Sequence, residues 1–298
     1  MNKINIKRKR TGIFQSAVLI AFTLLLNPYC FSQTDFSLSV GTQFQFSNIQ
    51  LESSQFENHA ETGLGVVAGI SLGLNESFSL HSGIALNYFE SRHSVDRYSG
   101  FEDAIDISDE AFEFRYTANY YSEQQDLTAI SIPLTVQYET SGVIRFYARL
   151  GVEANFFISQ EFSSRASGLT TTGFFPRFNA VLDSPRFAGF GTFDNQEFVG
   201  SELDVKNSYN ATAELGVKQL YASGNALYIG VYYKHGMNDI SSPGGSDGLL
   251  SFDPQNPTEF RSTSVLNAIG NPPNASQGLT DNARLHMFGV ALRYEFEL

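Results

Sequence analysis

One stretch, residues 129–158, constrains the fold more than any other part of the chain. Apolar side chains occupy every second position from 130 to 138, and after a turn at 139–142 the alternation resumes from 144 to 158. Period two predicts two β-strands, each with one apolar and one polar face. The runs exceed the usual globular strand of about 5–6 residues and suit a strand that crosses a bilayer at about 45°. The apolar face is therefore predicted to meet lipid, and the polar face to line an interior.

The N-terminus has the pattern of a secretory signal peptide. Five basic residues stand between positions 3 and 10, ahead of the apolar run 17–26, and small residues precede a cleavage site after Ser32. This arrangement predicts a leader of residues 1–32 and a mature domain of residues 33–298. The only cysteine, Cys30, leaves with the leader. Removing five cations from a chain of net charge −12 leaves −17, which argues against nucleic acid as a partner.

Eight alternating runs follow in the mature sequence. Turns of about 3–5 residues alternate with loops of roughly 15–50 residues, as short periplasmic turns and long extracellular loops do in outer-membrane barrels. The pattern predicts an all-β fold, an eight-stranded antiparallel up-and-down transmembrane β-barrel with short periplasmic turns and long extracellular loops. The runs lie at 36–46, 64–74, 78–88, 130–138, 144–158, 209–217, 227–233 and 288–298.

The polar faces of these runs are predicted to line the lumen. Eight strands enclose a bore that side chains fill, and glycines on the same faces leave space for the long ones. Because an unpaired buried charge is costly, we expect the luminal charges to pair and to plug the barrel, with a narrow channel as the alternative. His81 is expected to be a polar filler. The predicted charge network consists of Arg145, Arg149, Glu153, Glu214, Lys218, Lys234, Arg293 and Glu295.

Tyrosines near the strand ends, on the outward face, fit the aromatic girdles found at both membrane interfaces of such barrels. The chain has no Trp, so Tyr and Phe supply the girdles alone. The last run, 294–298, is similar to the aromatic-ended strand that barrel-assembly machinery recognises. The predicted girdle residues are Tyr88, Tyr138, Tyr209, Tyr233 and Tyr294.

Three short motifs resemble the PorT-like outer-membrane β-barrel family of Gram-negative bacteria. They are Ile132-Pro133-Leu134 at a strand start, the strand Arg-Phe-Tyr-Ala-Arg-Leu-Gly-Val at 145–152, and the strand exit Tyr-Tyr-Lys-His-Gly-Met-Asn-Asp-Ile at 232–240. The resemblance covers most of residues 33–298, chiefly the strands. It implies an eight-stranded outer-membrane barrel without implying one activity. The named member belongs to the type IX secretion and gliding machinery, and the long third and fourth loops of this chain depart from it.

The second long loop is acidic. One hypothesis is a site for a divalent cation or a basic partner; we favour a solvated loop, because the Asp-x-Asp-x-Asp-Gly spacing of a calcium loop is absent. The acidic residues are Glu102, Asp103, Asp106, Asp109, Glu110 and Glu113.

The third loop, 159–205, is rich in phenylalanine. Exposed aromatic side chains suit a sugar, peptide or protein partner, but we favour a self-packed lid over the barrel mouth, because large exposed apolar patches are uncommon. The fourth loop is expected to form turns or to lack order. The aromatic residues of the third loop are Phe174, Phe175, Phe187, Phe190, Phe193 and Phe198.

His235 and His286 are predicted to point outward near the outer ends of neighbouring strands. A catalytic pair needs a nucleophile and an orienting acid within hydrogen-bond reach. Asp239 and Asp281 are near the histidines only in sequence. Histidines at the level of the lipid headgroups are therefore the favoured interpretation.

Together these features predict a protein of the cell outer membrane that is not an enzyme and has no cofactor or metal. The predicted role is structural or surface-interacting, through long extracellular loops above a plugged, charge-paired lumen. The alternatives are a porin-like small-solute channel and a subunit of a type IX secretion or gliding complex. Predicted partners are outer-membrane lipid and lipopolysaccharide, the barrel-assembly machinery through the C-terminal strand, and proteins at the extracellular loops, but not nucleic acid.

Overall fold

The computed structural model describes residues 36–52, 55–244, 248–270 and 279–297. The predicted leader with Cys30 and the final Leu298 lie outside these residues. The described elements are strands, apart from one-turn 3₁₀ helices at Pro176–Phe178 and Arg186–Ala188. In these ranges no helix is long and apolar enough to cross a membrane. The strands are β1 (Phe36–Glu52), β2 (Glu57–Gly73), β3 (Phe78–Val95), β4 (Tyr98–Ile105), β5 (Ala111–Ala118), β6 (Tyr120–Glu139), β7 (Ile144–Ser167), β8 (Leu169–Phe175), β9 (Ala180–Leu182), β10 (Gly191–Phe193), β11 (Gln196–Glu202), β12 (Ser208–Leu220), β13 (Ala226–Gly236), β14 (Leu250–Ser251), β15 (Arg261–Ser262) and β16 (Asn282–Glu297).

Eight strands pair side by side in the order in which they occur in the chain: β1, β2, β3, β6, β7, β12, β13 and β16. Every one of these pairings is antiparallel. β1 pairs with β16 from Ser37↔Glu297 to Glu52↔Asn282, so the path of pairings returns to its start. The predicted all-β antiparallel fold is confirmed, and the eight predicted runs fall on these eight strands.

The outward side chains of the eight runs form an apolar belt. On β7, Phe146 is 67% exposed and Leu150 is 65% exposed, while Tyr147 and Arg149 on the other face are buried. On β1 the belt runs from Phe36 to Phe46. At a rise of about 3.3 Å per residue and a tilt of about 40°, this length is about 25 Å tall, the height of the apolar band of a transmembrane barrel. The alternation therefore puts apolar side chains outside the ring and polar ones inside it.

Three strands continue well beyond the apolar belt. β3 ends at Val95, β6 begins at Tyr120 and β7 ends at Ser167, so the prediction that the third loop begins at residue 159 is wrong. A register shift in the β6–β7 pairing, between Thr128 and Ala129, reverses which side of β7 faces inward. The shift interrupts the alternation in the sequence, and this is why the extension is not predicted.

The predicted second and third loops contain a second sheet. In this sheet β4 pairs with β5, β5 pairs with β8, and β8 pairs with β10. β9 also pairs with β8. The third loop also returns to the ring, because β11 pairs with the extension of β7. These long segments are therefore ordered structure built on the ring rather than open loops.

The segments beyond the belt share one hydrophobic core, which we name the aromatic cap. Phe112 stacks on Phe175 with 5.0 Å between ring centroids and meets Phe252 edge-on at 5.1 Å. Buried aromatic members of the cap are Phe56, Phe89, Tyr98, Phe112, Phe114, Tyr116, Tyr121, Phe162, Phe175, Phe190, Phe193, Phe252 and Phe260.

The third and fourth loops both contribute to the aromatic cap. Phe175, Phe190 and Phe193 are buried, as the lid hypothesis requires, whereas Phe187 is 79% exposed. The expectation that the fourth loop forms turns or lacks order is wrong for its described part, because Leu250 and seven further apolar residues between 240 and 268 are buried. Their irregular spacing has no period, so the sequence shows no strand signal although the side chains pack against distant β5.

Arginine at the middle of the apolar belt is expected to destabilise the protein. Val231 is 51% exposed and lies between Leu227 and Tyr233 on the outward face of β13. We expect Val231→Arg to lower the free energy of unfolding from lipid vesicles by about 2–4 kcal/mol, because hydrocarbon does not solvate a guanidinium group. The control Met237→Arg, just beyond the end of β13, is expected to cost about 0–1 kcal/mol. Equal costs for the two variants would contradict a lipid-facing belt.

Candidate functional site

The lumen is filled in layers, and the first layer lies at the end of the ring that carries the short turns. Lys218 Nζ lies 3.3 Å from Glu139 Oε2 and 3.2 Å from Glu295 Oε1. Arg145 forms an ion pair with the other oxygen of Glu139, and its side chain keeps 26% of its surface exposed. Two cations and two anions therefore balance where the lumen meets the turns.

Glu214 is the centre of the second layer. Its Oε1 accepts a hydrogen bond of 2.6 Å from the Tyr147 hydroxyl. Its Oε2 lies 3.2 Å from Arg293 Nη2 and 3.8 Å from Arg149 Nη1. Tyr147 fits because Gly230 lies opposite it: a Cβ at that position would lie 2.3 Å from the Tyr147 hydroxyl oxygen.

The second layer holds two guanidinium groups against one carboxylate. Neutral groups share the surplus positive charge: Arg149 Nε donates to Gln137 Oε1 at 3.2 Å, and Arg149 Nη2 lies 3.4 Å from His81 Nδ1. The ring of Tyr228 lies 5.9 Å from Arg149 Cζ and 5.5 Å from Arg293 Cζ, which is within cation–π range. His81 is thus part of the charge network rather than a detached filler.

A third layer consists of one ion pair. Lys234 Nζ donates to both carboxylate oxygens of Glu153 at 2.8 Å, and it also donates to Gln43 Oε1 at 3.2 Å. The Lys234 and Glu153 side chains are each only 3% exposed. This is the most buried ion pair of the network, and it blocks the middle of the lumen.

A chain of uncharged polar groups crosses the lumen above this ion pair. Asn87 Nδ2 donates to Ser131 Oγ at 2.7 Å, Ser131 Oγ donates to Asn155 Oδ1 at 2.6 Å, and Asn155 Nδ2 donates to Asn210 Oδ1 at 2.7 Å. Asn210 Nδ2 completes the chain by donating to the Leu285 carbonyl at 2.8 Å. Beyond this layer, Phe89, Leu127 and Leu285 are buried together with the polar His93 and Gln125, and the apolar side chains among them belong to the core of the aromatic cap.

Free space in the lumen is small. A cavity of about 50 Å³ lies among the second and third layers, next to His81, Arg149, Glu214, Lys234 and Arg293. At about 10–15 Å³ for each water, it has room for about three to five water molecules. The side chains of these layers therefore leave a small polar pocket between them.

The structure places the eight predicted charges inside the ring and adds residues that the sequence analysis does not assign. The alternation predicts that Glu139 belongs to the turn 139–142, yet it is 7% exposed and contacts both Arg145 and Lys218. The parity of β6 is the signal that finds it, because Glu139 follows Gln137 on the luminal face. The tyrosines that face the charges, Tyr147 and Tyr228, are found by the same parity on β7 and β13.

Glu123 connects the aromatic cap to β6, on the part of that strand beyond the apolar belt. Its carboxylate accepts hydrogen bonds from Ser264 Oγ at 2.5 Å, the Val265 amide at 3.0 Å, the Tyr121 hydroxyl at 2.9 Å and Gln125 Nε2 at 2.7 Å. Burial raises the pKa of the Glu123 carboxyl, and the four donors oppose this rise. Glu123 thereby fixes the fourth loop over the mouth of the ring.

The predicted girdle tyrosines lie at two levels. Tyr138 and Tyr294 are at the end with the short turns, whereas Tyr88, Tyr209 and Tyr233 are at the other end of the belt. The Tyr88 hydroxyl donates to Glu90 at 2.6 Å or to Asp126 at 2.8 Å. The two levels match the two interfaces that a girdle requires.

His235 and His286 are neighbours on the outward face, with 4.7 Å between ring centroids. The nearby acid in the sequence, Asp239, is committed elsewhere: its carboxylate accepts from the Ser241 hydroxyl at 2.8 Å and from the Ala283 amide at 2.9 Å. Asp281 is exposed. The structure therefore brings the histidines together without bringing either predicted acid to them.

The acidic residues of the second loop are dispersed. Glu102 binds the fourth loop through the Phe252 amide at 2.8 Å, Asp106 caps its own turn at the Ser108 amide at 2.7 Å, and Glu110 pairs with Arg177 at 3.0 Å. Across the described ranges, no group of three or more His, Cys, Asp or Glu side chains is arranged to hold a metal ion. The carboxylates instead serve as structural acceptors.

Comparison with known proteins gives distant matches only. No family model and no curated protein matches the chain. Among solved structures, the chain is similar to the outer membrane protein OprG of Pseudomonas aeruginosa, with 12% identity, 89% of this chain and 96% of that chain covered, and a TM-score of 0.34. It is also similar to the attachment invasion locus protein Ail of Yersinia pestis (9% identity, 89% and 99% covered, TM-score 0.29) and to Neisserial surface protein A (8%, 87% and 97%, 0.31). Scores this low support no inference about function.

Removal of Lys234 is expected to be costly, because it leaves the Glu153 carboxylate buried without a cation. We expect Lys234→Met to lower the free energy of unfolding by about 3–5 kcal/mol, and a second change, Glu153→Leu, to restore much of the loss. The control is Arg165→Met in the exposed pair with Glu197, which should cost about 0–1 kcal/mol. Denaturant unfolding in vesicles measures these three variants and Glu153→Leu alone, and additive losses in the double variant would contradict a coupled pair.

Loss of the Glu123 carboxylate is expected to loosen the fourth loop. We expect Glu123→Ala to lower the opening free energy at the Val265 amide by about 1–3 kcal/mol, because four donors then lose their acceptor. Hydrogen exchange measures this, and the variant Glu113→Ala, which breaks the pair with Arg115, should leave Val265 unchanged.

The Glu123 carboxyl is expected to make the hydrogen-exchange protection of the fourth loop depend on pH. Burial raises the folded-state pKa of Glu123 above 4.5, so the folded state binds the proton more tightly than the unfolded state. Protection of Val265 should therefore be greatest near pH 4.5 and fall as the pH rises through the raised pKa, in the wild type but not in Glu123→Gln. Protection that rises with pH would show the opposite sign.

Proposed function

We propose that this chain is an eight-stranded transmembrane β-barrel of the outer membrane, with a structural or surface-interacting role and no catalytic activity. The ring of pairings supports the barrel, because it satisfies the backbone hydrogen bonds that hydrocarbon cannot. The apolar belt supports the membrane location. The short turns would face the periplasm and the cap the outside, which is the habit of such barrels.

The observation that carries this proposal is the filled lumen. Ion pairs or hydrogen-bonded amides occupy each luminal layer, with one guanidinium group in excess in the second, and the aromatic cap covers the mouth. A barrel that passes solutes keeps a water-filled bore, whereas ion pairs occupy the interior of this one. The lumen is therefore a support for the cap rather than a pathway.

The cap is the proposed working surface. Large apolar side chains are exposed on it, beyond the reach of the lipid: Ile107 is 84% exposed, Val199 is 80% exposed and Phe187 is 79% exposed. Exposed apolar groups on ordered structure are typical of surfaces that contact other proteins. The proposed partners are proteins outside the cell, in addition to outer-membrane lipid and lipopolysaccharide around the belt.

A small-solute channel is the second candidate, and the hydrated cavity favours it. That cavity touches Arg149, Glu214 and Lys234, so a rearrangement of these pairs would widen a polar route along the lumen. Membership of the PorT-like family and of a type IX secretion complex remains a prediction from the short motifs alone. Recognition of β16 by barrel-assembly machinery also remains a prediction.

Conductance distinguishes the plug from the channel. The mature chain, folded into planar bilayers, is expected to give no stable openings, because the ion pairs and the cap close the lumen. Heat-modifiable migration in gels verifies that the chain has folded. Discrete openings of the wild type would favour the channel, and openings that appear only in Lys234→Ala/Glu153→Ala would support the plug.

A further inference from the structure

Three metal-binding atoms converge on the outward face, at the end of the apolar belt nearest the cap. Tyr233 and His235 are alternate residues of β13 and so share its outward face. The register that pairs Lys234 with Met287 places His235 opposite His286 of β16. Two strands of the closed ring therefore hold these three side chains in one row, independently of where the membrane lies.

The distances from the Tyr233 hydroxyl oxygen to the two imidazole nitrogens fit the edges of a metal coordination sphere. The Tyr233 hydroxyl oxygen lies 3.5 Å from His235 Nδ1 and 3.4 Å from His286 Nδ1. Tetrahedral ligands at about 2.0–2.1 Å from Zn²⁺ are about 3.3 Å apart. Both imidazoles thus present the same nitrogen to the same hydroxyl oxygen, at nearly the spacing that a bound ion requires.

Hydrogen bonding alone leaves this cluster incompletely satisfied. The tyrosine hydroxyl has one proton, so it can donate to only one of the two Nδ1 atoms at a time. At 3.4–3.5 Å both contacts are also longer than a typical O–H···N hydrogen bond. A cation between the three atoms would use all three lone pairs at once.

We propose that Tyr233, His235 and His286 form a binding site for a divalent transition-metal ion, with Cu²⁺ bound more tightly than Zn²⁺. Imidazole nitrogen suits both ions, and Cu²⁺ has the higher affinity for a given nitrogen and oxygen donor set. The site has three protein ligands and faces outward, so a fourth position is open to water or to an anionic group. Hard ions such as Mg²⁺ prefer oxygen ligands and are not expected to bind.

The charges around the site set its pH dependence. Arg284 lies two residues before His286 on β16, but it is paired with Glu52 of β1 at 3.5 Å. Ala211 of β12 and Asn48 of β1 flank the row and are uncharged. A metal ion binds the neutral form of imidazole, so its binding competes with protons and should weaken in acid.

Titration of the mature chain in lipid nanodiscs with CuCl₂ tests the site. One Cu²⁺ per chain is expected at pH 7.5, with a phenolate-to-copper charge-transfer band in the visible spectrum. His235→Ala and His286→Ala should each weaken binding at least ~10-fold, as expected when a ligand is lost. Tyr233→Phe should abolish the charge-transfer band while retaining part of the affinity. Zn²⁺ should compete, and Mg²⁺ should not.

The matched control is His59→Ala, which removes the other partly exposed histidine and should leave Cu²⁺ binding unchanged. All substituted side chains point away from the lumen, and heat-modifiable migration verifies that each variant folds. The proposal is overturned if the wild type fails to bind Cu²⁺ up to millimolar concentration, or if His235→Ala/His286→Ala binds as well as the wild type. Loss of binding only in His59→Ala would also overturn it.

Discussion

The antiparallel pairing of β1 with β16 is the contact on which the rest of the structure depends. Together with the other pairings it gives each of these eight strands a hydrogen-bonded neighbour on both sides. Once the ring is closed, the period of two gives each strand one face outside and one face inside. The apolar belt and the charged lumen are therefore two consequences of one closure.

The interior of an eight-stranded ring is only wide enough to be filled by side chains, so these side chains must pack against one another. In this chain they are mostly polar, and each buried charge needs a partner. Glu139 is shared by Arg145 and Lys218, Glu214 is shared by Arg149 and Arg293, and Glu295 pairs with Lys218. The pairs of Lys218 with Glu139, Lys218 with Glu295 and Arg293 with Glu214 join strands that are not neighbours in the ring, and so they brace it across the lumen.

The hydrophobic core of this protein lies beyond the barrel rather than within it. Because the lumen is polar and the belt faces outward, the buried aromatic residues collect in the cap, where β3, β6 and β7 rise above the belt and the second sheet packs against the fourth loop. Glu123 ties that loop to β6 through four hydrogen bonds. These contacts attach the cap to the strands of the ring.

The sequence by itself determined the parts of the eight ring strands that lie in the belt, their two faces and eight members of the charge network, because alternation is a local property that the pleat of a strand enforces. Arg149, Glu153 and Lys234 are therefore assigned to the lumen by parity alone. Only the tertiary structure decided which charges pair, that Glu139 joins them, that the fourth loop is packed, and that Tyr233, His235 and His286 converge. These facts depend on register and on contacts between residues far apart in the chain, such as Glu123 with Ser264. A local repeat in the sequence does not specify such contacts, because they are set by the tertiary packing of segments that are far apart in the chain.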